Sequence, residues 1–242
     1  MLNTLPYPDI WDRTLIEILQ HAESSYPNEA CGVVLRSMQV VRMQNKAHDP
    51  RINFMLDPVE YSRLEKDVLL VYHSHPDRVP EPTEPDKASS EACGKPYLIV
   101  SWPGKEVARY VPCGFKPKLE GRPFVYGIFD CYALVKDWFG QAEVEIPDFI
   151  RPPYGWWKDT DEDLFDKQAR SSGFERVLVD SDLQRGDVIS MMLGECRVPN
   201  HLAVYLGDGL MLHHSLFKLS GVGVYGGYWR KSTTGVYRCP LL

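Results

Sequence analysis

The chain has 242 residues, of which 44% are apolar, 25% charged and 12% aromatic, so it can bury one large core or two of ordinary size. A net charge of −6 with no basic block excludes nucleic acid as the expected partner. No uncharged apolar run approaches the roughly 18 residues a membrane span needs, and MLNTLPYPDIWDR at the N-terminus lacks the basic-then-apolar pattern of a signal peptide.

In chain order, Asp9 or Asp12 can cap a helix in which Trp11, Leu15, Ile18, Leu19 and Ala22 recur at steps of three and four, and Pro27 ends it. Residues 28–35 pass from polar to apolar and read as a strand, followed by a second strand and a loop as far as Pro50. Pro58 opens a short helix, with proline in the first turn. Residues 68–72 form an apolar run that reads as a buried strand. Thr83 or Glu84 starts another helix, running to Ala92. Residues 97–102 and 106–111 read as paired strands around the turn Pro103-Gly104. Helix and strand alternate, which predicts a three-layer α/β arrangement for this half. The six cysteines, at 31, 93, 113, 131, 196 and 239, form no CxxC pair. Reduced thiols in a soluble protein made inside a cell are therefore expected, rather than a disulfide frame.

His73 and His75 stand two apart on an extended segment, so their side chains leave the same face. Asp86, eleven residues beyond at the start of a helix, can approach from another direction. Pro76, Pro80, Pro82 and Pro85 restrict the loop between them, which limits the entropy lost in closing a site. Two histidines, a carboxylate and one open position suit a catalytic zinc ion with water as the fourth ligand. An isolated His-x-His pair is more often part of an ordinary exposed loop. The ordered loop and the aspartate move the reading towards a metal.

These residues resemble the JAMM (also called MPN) metallopeptidases, whose motif is His-x-His-Pro followed by a serine and an aspartate, with a glutamate on an earlier strand. The resemblance covers about residues 1–112. It implies zinc held by His73, His75 and Asp86, and Glu29 of NEACGVVL as the group that takes a proton from water. It also implies that Thr83, where the family usually has serine, provides the hydroxyl beside the oxyanion. On its own, Glu29 would read as an exposed acid at a strand edge.

Residues 113–122 mix glycine, proline and charge without periodicity and read as a linker. The domain reading is thus 1–112, a linker, and 123–242. Asp130 can cap a helix that begins at Cys131, placing the thiol at the positive end of the helix dipole. An N-cap carboxylate opposes that effect unless its oxygens are occupied. Taken alone, Cys131 reads as a small buried apolar residue. Further on, Gly186-Asp187 forms a turn into a strand. Residues 201–206 and 210–215, joined by Gly207-Asp-Gly209, form a strong hairpin signal. In that register His201 faces Ser215, and His213 is its diagonal neighbour on the same face, about 7–8 Å away. His214 points to the other face and reads as structural. A one-residue slip would exchange the two.

The Asp130-Cys131 helix start, the Gly-Asp turn and the His201 hairpin with His213 resemble the NlpC-type, papain-like cysteine peptidases, over about residues 123–242. The resemblance implies Cys131 as nucleophile, His201 as general base and His213 as the residue that orients it, acting on stem peptides of bacterial cell walls. The family often has serine where this chain has Tyr132. Residues 141–180 carry no motif. The aromatic clusters at 152–157 and 225–229 read as core or loop packing ahead of a substrate groove, and the acidic run 159–166 as a solvated helix start.

The expected fold is therefore an α/β (α+β) two-domain protein: a JAMM-like mixed sheet with flanking helices, then a papain-like NlpC-type α+β domain. The succession of the two resembles tail-assembly proteins of lambda-like bacteriophages. That implies a bifunctional zinc and thiol peptidase made in the host bacterial cytoplasm and bound for the tail tip. Its partners would be other tail assembly proteins, and its substrates cell-wall stem peptides, phage tail proteins or both. The rival class is a structural assembly factor in which both sites survive only as folds.

Overall fold

The structure is a computed structural model that describes residues 8–179 and 182–241, with side chains in the first helix from Asp12 onwards. The chain divides into two compact units, Met1–Pro117 and Lys118–Leu242. Among the described residues no helix is long and apolar enough to cross a membrane.

The first unit is built on a five-stranded mixed sheet in the order β2-β1-β3-β4-β5. Its strands are β1 (Cys31–Leu35), β2 (Val40–Met43), β3 (Val68–Pro76), β4 (Tyr97–Trp102) and β5 (Val107–Tyr110). Only β3 and β4 run parallel, because α3 (Glu84–Cys93) provides the crossover between them. Helix α1 (Pro8–Ser25) sets Ile18 and Ala22 against Val34, Leu70, Tyr72 and Val100 on one face of the sheet. The opposite face, with Val33, Val71 and Tyr97, packs against α2 (Pro58–Leu64) through Tyr61 and Leu64, and against Cys93 of α3. The result is the three-layer arrangement that the alternation predicts. One expectation is corrected. The first helix begins at Pro8, so Asp9 and Asp12 lie within it rather than capping it. The side chain of Trp11 falls outside the described ones.

Residues 113–117 belong to the first unit, where Glu91 of α3 accepts hydrogen bonds from the backbone amides of Cys113, Gly114 and Phe115. Residues 118–122 belong to the second, where Ser220 bonds to the Leu119 carbonyl and the Arg122 amide.

The second unit carries a six-stranded antiparallel sheet in the order β10-β9-β8-β7-β11-β6. Its strands are β6 (Glu175–Val177), β7 (Val188–Met191), β8 (His201–Gly207), β9 (Leu210–His213), β10 (Gly221–Val224) and β11 (Thr233–Arg238). Helix α4 (Cys131–Gln141) lies against β8, burying Cys131, Tyr132, Val135 and Phe139 with Leu202 and Val204. Two shorter helices, α5 (Leu164–Ser171) and α6 (Tyr228–Lys231), flank the sheet sequence. The turn before β7 is fastened by buried Asp187, which Arg238 of β11 grips with two nitrogens at 2.8 and 2.7 Å. Asp163 caps α5, and Asp161 pairs with Arg197, so the acidic run is a helix start with surface pairing. All six cysteines are free thiols.

Candidate active sites

The first constellation lies on β3, which runs four residues beyond the apolar stretch and therefore contains both histidines. With the period of two in a strand, Tyr72 faces α1 while Val71, His73 and His75 face the other side. Asp86 reaches the same point from the first turn of α3. His73 Nε2 is 3.1 Å from His75 Nε2 and 3.2 Å from Asp86 Oδ1, and His75 Nε2 is 3.6 Å from Asp86 Oδ2. Donors around a tetrahedral ion with bonds of about 2.0–2.1 Å stand about 3.3 Å apart, so these spacings suit one ion. His75 Nδ1 donates to the Val79 carbonyl at 2.8 Å, which makes its Nε2 a lone pair facing the cluster. Two imidazole nitrogens and a carboxylate so directed need a proton or a cation among them, and the three buried residues fit a metal.

The electrostatics agree. Burial lowers the pKa of His73, but Asp86 beside it more than offsets this and the net shift is upward. Asp86, although burial opposes it, is held well below the usual carboxylate range by the charge and hydrogen bond of His73 and by the Thr83 hydroxyl.

Thr83 caps α3. Its hydroxyl donates to Asp86 Oδ2 at 2.6 Å, its amide donates to the same oxygen at 2.8 Å, and the Asp86 amide returns a bond to the hydroxyl oxygen. The hydroxyl proton is thus directed at Asp86. Glu29, only 2% exposed, stands just before β1 and is covered by Arg78, whose Nη2 is 2.5 Å from Oε1. Burial raises the Glu29 pKa, while the charges of His73, His75 and Arg78 oppose the rise. Asp77, at a left-handed φ of 54° and held by the Tyr26 hydroxyl, turns the chain so that Arg78 follows directly after the histidine strand. Sequence reading missed Arg78. It also missed Phe54, which stacks on His73 at 4.4 Å, and Asn45, whose amide bonds to Glu29, Ala47, Asn53 and Met55 hold the loop that carries Phe54. A turn-forming asparagine is no signal of that role by itself.

The second constellation is assembled from α4 and the β8–β9 hairpin. Asp130 caps α4 through the Ala133 amide, and its other oxygen accepts from the Gly127 amide, so both oxygens are occupied. Cys131 is the first residue of the helix. Tyr132 turns into the core, with its hydroxyl donating to the Pro147 carbonyl and its ring against Phe149. Ala203 pairs with His213 across the hairpin, the register that puts His213 on the His201 face. His201 Nε2 and His213 Nδ1 are 3.2 Å apart, and Ser215 Oγ is a further 3.2 Å from His213 Nδ1. With Nε2 so engaged, Nδ1 is the nitrogen His201 has left for a thiol. Cys131 and His201 line one cavity of about 750 Å³, whose outer wall is Tyr126, Tyr154, Trp156 and Trp157. The aromatic cluster at 152–157 is therefore cavity wall.

Burial, followed by the Asp130 charge, pushes the Cys131 thiol up to about 12, with the Leu202 amide and Arg151 opposing. Burial, followed by the charges of His213 and His214, pushes His201 down to about 3. Both shifts favour an uncharged thiol beside an uncharged imidazole. The Trp229 ring packs on His213 at 4.7 Å and on His201 at 5.8 Å. At Gly223 on β10, a Cβ would stand 3.2 Å from His213 Nε2, so the bare backbone leaves that ring its place. His214, fully buried, packs edge-on against Phe124.

Compared with known proteins, residues 12–112 match the prokaryotic homologs of the JAB domain, and residues 121–238 match the NlpC/P60 family. Over 233 residues the chain is 36% identical to the tail tip assembly protein K of Escherichia phage N15, covering 93% of this chain and 94% of that protein. It is 32% identical over 177 residues to the tail tip assembly protein K of Escherichia phage lambda, covering 73% and 84%. The desampylase of Haloferax volcanii is 33% identical over 113 residues, covering 41% of this chain and 81% of that protein.

Proposed function

The chain belongs to the tail tip assembly protein K family, and from that premise we propose that it is a bifunctional peptidase of a tailed phage. It would carry a zinc-dependent site on His73, His75 and Asp86 and a thiol site on Cys131, His201 and His213. The observation that carries the reading is the convergence of His73 Nε2, His75 Nε2 and an Asp86 oxygen at the spacing of tetrahedral ligands, beside a buried carboxylate. When bound there, a zinc ion supplies Lewis acidity and lowers the pKa of water at its open position. Glu29 accepts the proton of the attacking water. Arg78 holds one oxygen of Glu29 and leaves the other for that transfer. Thr83 orients Asp86 through its hydroxyl and stands where the motif places the group beside the oxyanion.

At the second site the thiol proton passes from Cys131 Sγ to His201 Nδ1 as the sulfur attacks the peptide carbonyl. It then returns to the leaving amine. His213 accepts from His201 Nε2–H and so keeps Nδ1 unprotonated. Because the resting pair is uncharged, the proton moves during the attack and not before it. The substrates proposed are peptide bonds of cell-wall stem peptides, of tail proteins, or of both, met in the host cytoplasm during tail assembly with other tail proteins as partners.

The test is incubation of the purified chain with isolated cell walls and with purified tail proteins, alongside Cys131→Ala and His75→Ala variants and a metal determination. Near-stoichiometric zinc, lost in His75→Ala, and cleavage lost in one or the other variant are expected. Metal-free protein that cleaves nothing overturns the reading in favour of a structural assembly factor.

A further inference from the structure

Arg151 lies in the stretch without a motif, yet it is buried to 6% side-chain exposure against Asp130, the residue immediately before the candidate nucleophile. Its Nε is 2.9 Å from Asp130 Oδ2 and its Nη2 is 3.3 Å from Oδ1, a two-point grip on a carboxylate that is itself only 4% exposed. The guanidinium is held in that pose on every side. Nη1 bonds to Asp148 Oδ1 and to the Phe149 carbonyl, and the plane lies over the rings of Tyr132 at 4.6 Å and Phe149 at 4.4 Å. Tyr132 is therefore a platform for Arg151.

We propose that Arg151 is a positioning residue of the thiol site: it offsets part of the charge of the Asp130 cap, so that the start of α4 opposes negative charge on Cys131 Sγ less than a bare carboxylate cap would. This rests on the reading of Cys131 as the nucleophile. An N-cap aspartate supplies good capping bonds but places a full negative charge next to the sulfur. When the thiol gives its proton to His201, charge develops on sulfur in a buried setting, where an uncompensated neighbouring anion is costly. The groups that face Cys131 are Asp130 at the cap of its own helix, Arg151 from the loop that follows α4, Tyr126 from the lead-in segment, His201 with the Leu202 amide from β8, and His214 just beyond β9. Arg151 is the cation among these groups.

The test measures alkylation of Cys131 by iodoacetamide in the full chain at a fixed pH of about 8, located by peptide mass, in four variants. In Arg151→Met the rate is expected to fall about tenfold, the change in thiolate that one pKa unit brings. In Arg151→Lys, which keeps the charge but not the fork, most of the rate is expected to remain. In Asp130→Asn with Arg151→Met the rate is expected to recover, because asparagine still caps the helix and the charge to be offset is gone. An unchanged rate in Arg151→Met overturns the proposal. So does a fall as large in Arg151→Lys, or a failure of Asp130→Asn to restore the rate, since both mark a purely structural role. Should the wild-type thiol itself be insensitive to His201→Ala, the nucleophile reading fails, and that outcome is read separately from the Arg151 series.

Discussion

The two sites are made of similar parts and held in different ways. In the first unit, opposite charges meet: Asp86 against His73 at 3.2 Å and Arg78 against Glu29 at 2.5 Å, with the lone pair of His75 Nε2 directed at the same point. In the second, the groups expected to react are uncharged at rest. His201 and His213 touch each other and a tryptophan, and a buried ion pair, Arg151 with Asp130, stands beside the cysteine. A site of the first kind is positioned by electrostatics and favours a cation. A site of the second kind is positioned by packing, and it develops charge only when a substrate closes over it.

If electrostatic positioning governs the first site, Thr83 is its most sensitive support outside the ligands. Thr83→Val removes the hydroxyl that fixes Asp86 Oδ2 and should weaken zinc binding about 10–100-fold, as loss of a partner behind a ligand commonly does. Thr83→Ser should leave binding nearly intact. Titration against a zinc chelator checks both, and equal affinity in the valine variant would mean that Asp86 needs no such support.

If packing governs the second site, Trp229→Leu should slow the thiol chemistry roughly tenfold by freeing the His201 and His213 rings, while leaving zinc affinity in the first unit unchanged. Cys131 alkylation and metal titration on the same preparation separate the two effects. A uniform loss of both would indicate global damage.

The smallest expected difference lies in acid sensitivity. Burial lowers the pKa of His201 to about 3 and of His214 to about 4, and lowers that of His213 as well. In the first unit burial lowers His21 to about 4, while Asp86 raises His73. A histidine whose pKa is lower folded than unfolded takes up its proton more readily when unfolded. Its cost is absent above about pH 6.5 and grows as pH falls towards the folded value. Each such histidine contributes a slope of up to about 1.4 kcal/mol per pH unit. Between pH 6.5 and 4.5, amides of β8 and β9 should therefore lose hydrogen-exchange protection, corrected for intrinsic rates, faster than amides of β3. Equal losses would remove this distinction between the units.

Much of both sites could be read before any coordinates. His73 and His75 share a face because a strand has a period of two. Asp86 is near them because proline and a capping residue start a helix there. The register of His213 follows from a Gly-Asp-Gly turn. The supports could not be read in this way. Asn45, Phe54 and Arg78 carried no signal of their own, and Trp229 sat in a cluster read as core or loop packing. Arg151 lay in a stretch without any motif.

The reason is sequence distance. Local spacing, turn chemistry and helix capping act over a few residues, so by itself the sequence determined the elements, the order of the candidate ligands and the thiol at a helix start. Arg78 meets Glu29 across 49 residues, and Arg151 meets Asp130 across 21. Contacts of that separation exist only once sheets and helices have packed. Which charges are cancelled, which rings are pinned and which protons stay in place were therefore decided by the tertiary structure alone.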